Sequence, residues 1–404
     1  MSTNDLTISS KKSFKSFLGK VVHNQLFIPL VALLLLVLFN LAADWFLHAD
    51  TSFFQIVLKP SSTGSKILTG NLITIIDNAS ELALLAVGMT LVTSAAGGQD
   101  ISVGATIAIA GSTVLRIVKG YSPDISGGKF AVVIICSFLL CVVVSAAFGA
   151  FNGALVAFFK IQPMVATLIL FTAGRSIAAW INNNDNISIN DERFGYFGNF
   201  IPGIAIPTPV FITAICLIII ALVLKFTNLR LYAQSVGINS SSSRLNGINP
   251  KIIKLITFII LGICVAVCGF IKVSRTSSIT YAVIANNIEM DAILAVALGG
   301  NNLGGGKFNM TSSVIGAYVI QFLTTTLFRM KVSSSAISAY KAVVVILLII
   351  MSSPFIRRWL DDRKSRREAA RVTKAEAALE AAVEVAGDVA ADVTADVNAG
   401  KESV

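Results

Sequence analysis

The sequence predicts an all-α polytopic membrane protein of about ten transmembrane helices, some of them broken, with the N- and C-termini cytoplasmic. Three observations predict it. Of 404 residues, 55% are hydrophobic and 13% charged, where an ordinary soluble domain carries about 25% charged residues; mean hydropathy is +0.78. Apolar stretches near the roughly 20 residues needed to cross a bilayer recur along the chain. Cationic residues concentrate in alternate connections, as the positive-inside bias requires.

Residues 1–25 form a basic leader with Lys11, Lys12, Lys15 and Lys20. The apolar stretch 26–47 that follows is too long for a signal-peptide core, and no small-residue cleavage pattern marks "DWFLHAD", so it reads as an uncleaved span. Further spans are predicted at 71–95, 101–118, 130–158, 163–181, 208–226, 255–274, 283–299, 312–328 and 339–356. With a cytoplasmic N-terminus, the connection 225–254 lies inside and carries Lys225, Arg230, Arg244, Lys251 and Lys254 without an acid. The outer loop 182–207 holds only Arg193 among Asp185, Asp191 and Glu192, while Arg329 and Lys331 run against the rule. The net charge of +10 therefore fits a plasma-membrane orientation and calls for no nucleic-acid partner. Residues 26–356 form one transmembrane domain. The Ala/Glu/Val/Asp-rich tail 357–404 reads as cytoplasmic, disordered or part-helical.

The chemistry is sparse. Cys136, Cys141, Cys216, Cys264 and Cys268 lie in apolar segments without metal-ligand spacing and read as small hydrophobes. His23 and His48 flank the first span, and no catalytic His or Cys motif is present, so neither an enzyme nor a metal site is expected. The run "GGNNLGGGKFN" (299–309) approaches a P-loop but has Asn301 where the first glycine belongs and Phe308 in place of the hydroxyl.

Two spans are interrupted: the second ends in "SAAGGQDISVG" (94–104), and the eighth is short and ends in Gly299 and Gly300. Such breaks either turn backbone groups toward a cavity or let helices pack closely on small residues. The acids in or near spans are Asp77, Glu81, Asp100, Glu289 and Asp291, with Arg175 as the interior cation. Asp77, Glu81, Glu289 and Asp291 sit near span ends, where a wet interface is favoured over a ligand role; Arg175 lies deeper and is expected to pair with an acid.

The connection 227–254, "NLRLYAQSVGINSSSSRLNGINPKIIK" from Asn228, is by composition either a docking knob or a solvated connector. Its pattern "VG-x-N-x-x-x-x-RL-x-GIN" resembles the coupling segment of membrane permeases in ABC importers for ribose, galactose, xylose and related monosaccharides. "GMTLVTSAAGGQDISVGA" (88–105), "GAFNGALVAFFKIQPMVATLILFTAGRSIA" (149–178) and "EMDAILAVALGGNNLGGGKFN" (289–309) resemble three further stretches of that family in the same order. The resemblance implies a permease that binds no cofactor itself. A separate ATPase subunit uses ATP and docks on the coupling segment, an extracytoplasmic sugar-binding protein delivers cargo, and a second copy or a homologous permease completes the channel among membrane lipid. Coupling then falls to Gly237, Asn239, Arg244, Leu245 and Gly247, and the substrate pathway to Gly97, Gly98, Asp100, Ser102, Asn152, Gln162 and Thr167. Asn152 has an alternative role as an interhelical anchor, and Arg244 as a simple positive-inside anchor. Gly299, Gly300, Gly304 and Gly305 are structural. Ser240, Ser241, Ser242 and Ser243 depart from the family's coupling stretch, and Gln99 replaces a usual apolar residue. Rival expectations are a nucleoside importer of the same architecture, a proton-coupled transporter using Asp100 or Glu289, and a receptor or scaffold signalling through its tail.

Overall fold

A computed structural model describes residues 26–46, 52–60, 66–121 and 127–352. The basic leader, His48 and the tail lie outside the described residues. Eight helices among the described residues are long and apolar enough to cross a membrane. They are α1 (Phe27–Phe46), α2 (Asn71–Ala96), α3 (Val103–Tyr121), α4 (Gly127–Ala157), α5 (Pro163–Ile181), α7 (Thr208–Phe226), α10 (Pro250–Thr276) and α12 (Met310–Arg329). Between them lie the short α6 (Glu192–Gly195), α8 (Leu229–Ile238), α9 (Ser240–Leu245) and α11 (Ile288–Leu298); α13 (Ser334–Ser352) follows. The eighth predicted span is shorter than expected. Helix α11 has 11 residues, about 16 Å of rise, which cannot cross a ~30 Å hydrocarbon core. The residues before it turn instead, with Ala285 at φ 53° and Asn287 at φ 64°.

Helix starts follow local chemistry. Pro163 and Pro250 occupy the first turns of α5 and α10, where a missing N–H costs nothing. Asn239, Asn249 and Asn309 cap α9, α10 and α12 with side-chain oxygens.

Helices α2, α3, α10 and α12 form the buried inner layer, whereas α1 and α7 present Leu34, Leu38, Ile215 and Ile218 outward, as lipid-facing surfaces require. Helix α4 joins α10 through small residues: a Cβ on Gly149 would stand 2.5 Å from the Phe258 carbonyl oxygen. The strands are short and were not legible in the sequence. Strands β1 (Val57–Pro60) and β2 (Lys66–Thr69) form an antiparallel hairpin before α2, while β3 (Ile187–Ser188) pairs with β4 (Ser278–Ile279), Ile187 opposite Ile279. The loop 182–207 is thereby ordered, and Phe194 of α6 is fully buried beside Phe270. Arg329, an exception to the charge rule, lies 2.5 Å from Asp44 and is neutralised there.

Candidate functional site

The chain leaves α2 through Gly97, whose left-handed backbone (φ 66°) lets its N–H return to the Thr93 carbonyl. Three residues later Asp100 is buried at 4% exposure. Its Oδ1 accepts from the Ser102 backbone N–H (2.8 Å) and hydroxyl (2.6 Å), and its Oδ2 faces Asn152 Nδ2 at 3.4 Å. Asn152 Nδ2 also donates to Ser102 Oγ at 2.9 Å, and Thr167 Oγ1 accepts the Ile101 N–H at 3.2 Å. Asp100, Ser102 and Asn152 line a small cavity with Thr106 and Gly149. Asn152 Oδ1 has no hydrogen-bond partner among the described residues, so a polar visitor or a water would find an acceptor there. Three of the predicted pathway side chains, Asp100, Ser102 and Asn152, thus meet between α2, α3 and α4, and Thr167 of α5 adjoins them through the Ile101 backbone. Gln162 does not join them: it is exposed and lines a separate groove.

The glycine-rich loop 299–309 clasps the end of α2. Gly306 N–H donates to the Ser94 carbonyl at 3.0 Å, and a Cβ on Gly97 would stand 2.9 Å from the Gly304 carbonyl oxygen. Gln99 Nε2 donates to the Leu303 carbonyl (3.3 Å), which gives the unusual residue a local role. Asn301 folds the loop back, accepting the Asn309 N–H at 2.7 Å and donating to Ser313 Oγ at 2.7 Å. Phe308 is buried with Leu91, Ala233, Val236 and Ile253, so the residue that spoils the P-loop pattern is a packing anchor. Gly237 of α8 enters the same junction. A Cβ there would collide with the Ser94 carbonyl oxygen and stand 2.7 Å from the Gly306 nitrogen.

The segment 227–254 is a helical hook. Asn239 Oδ1 accepts the Ser241 and Ser242 backbone N–H groups at 3.0 Å each, and Ser235 and Ser243 join hydroxyls at 2.8 Å, while Ser241 and Ser242 are exposed. Gly247, at φ 79°, closes α9, with its N–H on the Arg244 carbonyl at 3.1 Å. Arg244 is exposed, with Leu245 at 90% and Ile238 at 75% exposure.

The family described as branched-chain amino acid transport system, permease component, matches residues 71–352. The chain belongs to that family. The permease is 38% identical over 310 residues to the galactofuranose transporter permease protein YtfT of Escherichia coli, covering 75% of this chain and 84% of that one. It is 33% identical over 374 residues to the fructose import permease protein FruF of Bifidobacterium longum, covering 91% and 99%. It is 34% identical over 287 residues to the ribose import permease protein RbsC of Escherichia coli, covering 70% and 85%. Permeases of this kind sit in the bacterial inner membrane as multi-pass proteins.

Away from the hook, the permease holds charges that the sequence reading misjudged or missed. Glu81, expected at a wet interface, is 1% exposed. It lies 3.0 Å from Lys272 and 2.7 Å from Arg275, both on α10. Arg275 also reaches Asp77 Oδ1 at 3.0 Å, Asn78 Oδ1 at 2.6 Å and the Gly198 carbonyl at 3.2 Å. Spacing on α2 put Asp77 and Glu81 on one face, but nothing in the sequence tied that face to residues 272 and 275. Arg175 pairs with no acid in a salt bridge among the described residues. Its Nη1 donates to the carbonyls of Tyr281 (3.0 Å), Ala282 (3.0 Å) and Ile284 (3.2 Å), holding the turned backbone before α11. Asp291 is paired with Lys341 at 2.7 Å, and Glu289 is buried against Gly104 with Oε2 lacking a hydrogen-bond partner among the described residues.

Proposed function

We propose that this permease is the membrane subunit of an ATP-binding-cassette importer that carries a monosaccharide inward. The observation that carries the sugar class is that relatives covering 70–91% of the chain are named for galactofuranose, fructose and ribose. The chain supplies no nucleotide site of its own; a separate ATPase subunit pair uses ATP and docks on the hook 227–254, while an extracytoplasmic binding protein delivers the sugar. A second copy or a homologous permease completes the passage in the lipid bilayer.

Arg244 contacts the ATPase through a charge-assisted bond, with Leu245 beside it, and Asn239 and Gly247 hold α9 in shape. Gly237 carries the movement to Ser94, three residues before Gly97. The end of α2 and the Gly97–Gly98 turn then shift against the loop 299–309. Asp100, Ser102, Asn152 and Thr167 face the sugar on its way, offering acceptors and donors that hydroxyl groups need in a partly apolar passage. ATP binding shifts the two access states only as far as its affinities for them differ.

The test is uptake in proteoliposomes holding the permease, its ATPase and its binding protein, with labelled pentoses, hexoses and nucleosides. One sugar accumulating only with ATP and all components is the expected result. Nucleoside accumulation would replace the cargo class, and flux driven by a proton gradient without the ATPase would overturn the mechanism. Arg244→Ala, inserted normally, is expected to abolish ATP-dependent uptake.

A further inference from the structure

Behind the hook lies a groove of about 740 Å³ between the turn joining α4 to α5, the helix α9 and the start of α10. Its lining includes Lys160, Arg244, Lys251 and Lys254 and no acid. None of these four cations forms a salt bridge with a described residue. Two helix starts open on it as well: Pro250 of α10 and Pro163 of α5, the latter without a side-chain cap. Helix starts carry unpaired N–H groups and partial positive charge, so both reinforce the field of the cations. Lys160 holds φ 57°, a conformation disfavoured for any residue with a Cβ, at the turn that lines the groove.

Beside the groove Phe158 is 50% exposed, with Nζ of the lining residue Lys251 5.6 Å from the centre of its ring, and the adjacent Phe159 is 72% exposed. Basic pockets between helices at the cytoplasmic side hold phosphate headgroups, and exposed phenylalanines beside them offer apolar surface to acyl chains.

We propose that this groove binds the headgroup of an anionic phospholipid of the cytoplasmic leaflet, its phosphate held by Lys160, Lys251 and Lys254 and its chains lying on Phe158 and Phe159. A lipid seated there touches both α9 and the end of α4, so bilayer charge bears on the hook itself. A free phosphate shares the headgroup chemistry but makes no use of the exposed Phe158 and Phe159.

The full-length permease, alone and without sugar or ATP, is titrated with dioctanoyl-phosphatidylglycerol, dioctanoyl-phosphatidylcholine or inorganic phosphate, and occupancy is read by native mass spectrometry. One saturable phosphatidylglycerol per chain is expected, at least about tenfold tighter than phosphatidylcholine. The triple substitution Lys160→Gln, Lys251→Gln, Lys254→Gln is expected to weaken it roughly a hundredfold, since each cation near the surface contributes about fivefold. Lys119→Gln, a cation outside the groove, should leave it unchanged. If the triple variant fails to fold, the three single variants carry the same test, each with a smaller loss. Equal binding of the two lipids, unaltered binding in the variants, or inorganic phosphate competing as well as the anionic lipid would each overturn the proposal. Because neither transport nor the ATPase enters the lipid measurement, its failure leaves the import reading standing.

Discussion

Replacing Arg275 by methionine removes the cation shared by Asp77, Asn78 and Glu81, and leaves Glu81 with Lys272 as its one remaining ionic partner among the described residues. Breaking a buried pair from one side costs about 3 to 5 kcal/mol, because the surviving charge stays desolvated. Arg275 is itself partly exposed, so the lower end of that range is expected, as a fall in the unfolding midpoint of the detergent-solubilised protein. Arg275→Lys should recover only part, since an ammonium cannot serve Asp77 and Asn78 together as the guanidinium fork does. A midpoint unchanged in Arg275→Met would mean the cluster is dispensable. The acids of this cluster were legible from hydropathy alone. Their partners were not, because a helix's registry against its neighbour leaves no local mark.

Among elements, the breaks were the most readable. Glycines at 97 and 98 after a long apolar run announced the end of α2, and that end lies at Gly97. The eighth span misled because hydropathy does not report backbone form: residues 283–287, read as its start, are turned, with Ala285 and Asn287 at positive φ and the Ile284 carbonyl held by Arg175. The pairing of β3 with β4 joins segments some 90 residues apart, beyond any local pattern. The short helix α6 shows what the loop 182–207 conceals. Asp191 Oδ1 caps it at the Arg193 N–H (3.0 Å), and Oδ2 lies 2.6 Å from Arg193 Nη2. The Arg193 side chain, more than the capping N–H, holds the Asp191 carboxyl below its usual 3.8 against the smaller opposing effect of burial. A carboxyl lowered in the folded state lends stability above its unfolded pKa and loses it as pH falls through the folded value. Hydrogen-exchange protection of residues 192–195 should therefore hold at pH 5 and decline below about 3.8, the unperturbed value. Asp191→Asn should flatten that dependence; a variant that keeps it would place the titration elsewhere.

For the whole molecule, the consequence of the fold is that one junction of bare backbone joins the hook, the end of α2 and the loop 299–309. The sequence displayed all three parts, since Gly237, Gly97 and the run from Gly299 to Gly306 stand out by composition. It gave no sign that they touch, because backbone-to-backbone contact leaves no side-chain pattern. The junction makes the five glycines of the loop unequal. Gly305 has φ 98°, and a Cβ there would stand 3.1 Å from Gly97 Cα, whereas a Cβ on Gly304 would meet nothing closer than the Asn302 side chain at 3.5 Å. Gly304→Ala should therefore fold and transport as the parent does, and Gly305→Ala should lose about 1 to 3 kcal/mol through strain and overpacking. Gly237→Ala probes the linkage itself. Its methyl collides with the Ser94 carbonyl oxygen, which already accepts the Gly306 N–H at 3.0 Å, so relief must part the hook from α2. Arg244 and Leu245 stay exposed, and the ATPase should still bind. ATP-dependent sugar accumulation in proteoliposomes should fall roughly tenfold or more, the effect of about 1.4 kcal/mol of lost coupling. Normal uptake by Gly237→Ala would show that movement reaches the passage by another route. Loss of both ATPase binding and uptake would show only that the hook had come apart, and it is the separation of the two readouts that assigns the junction its role.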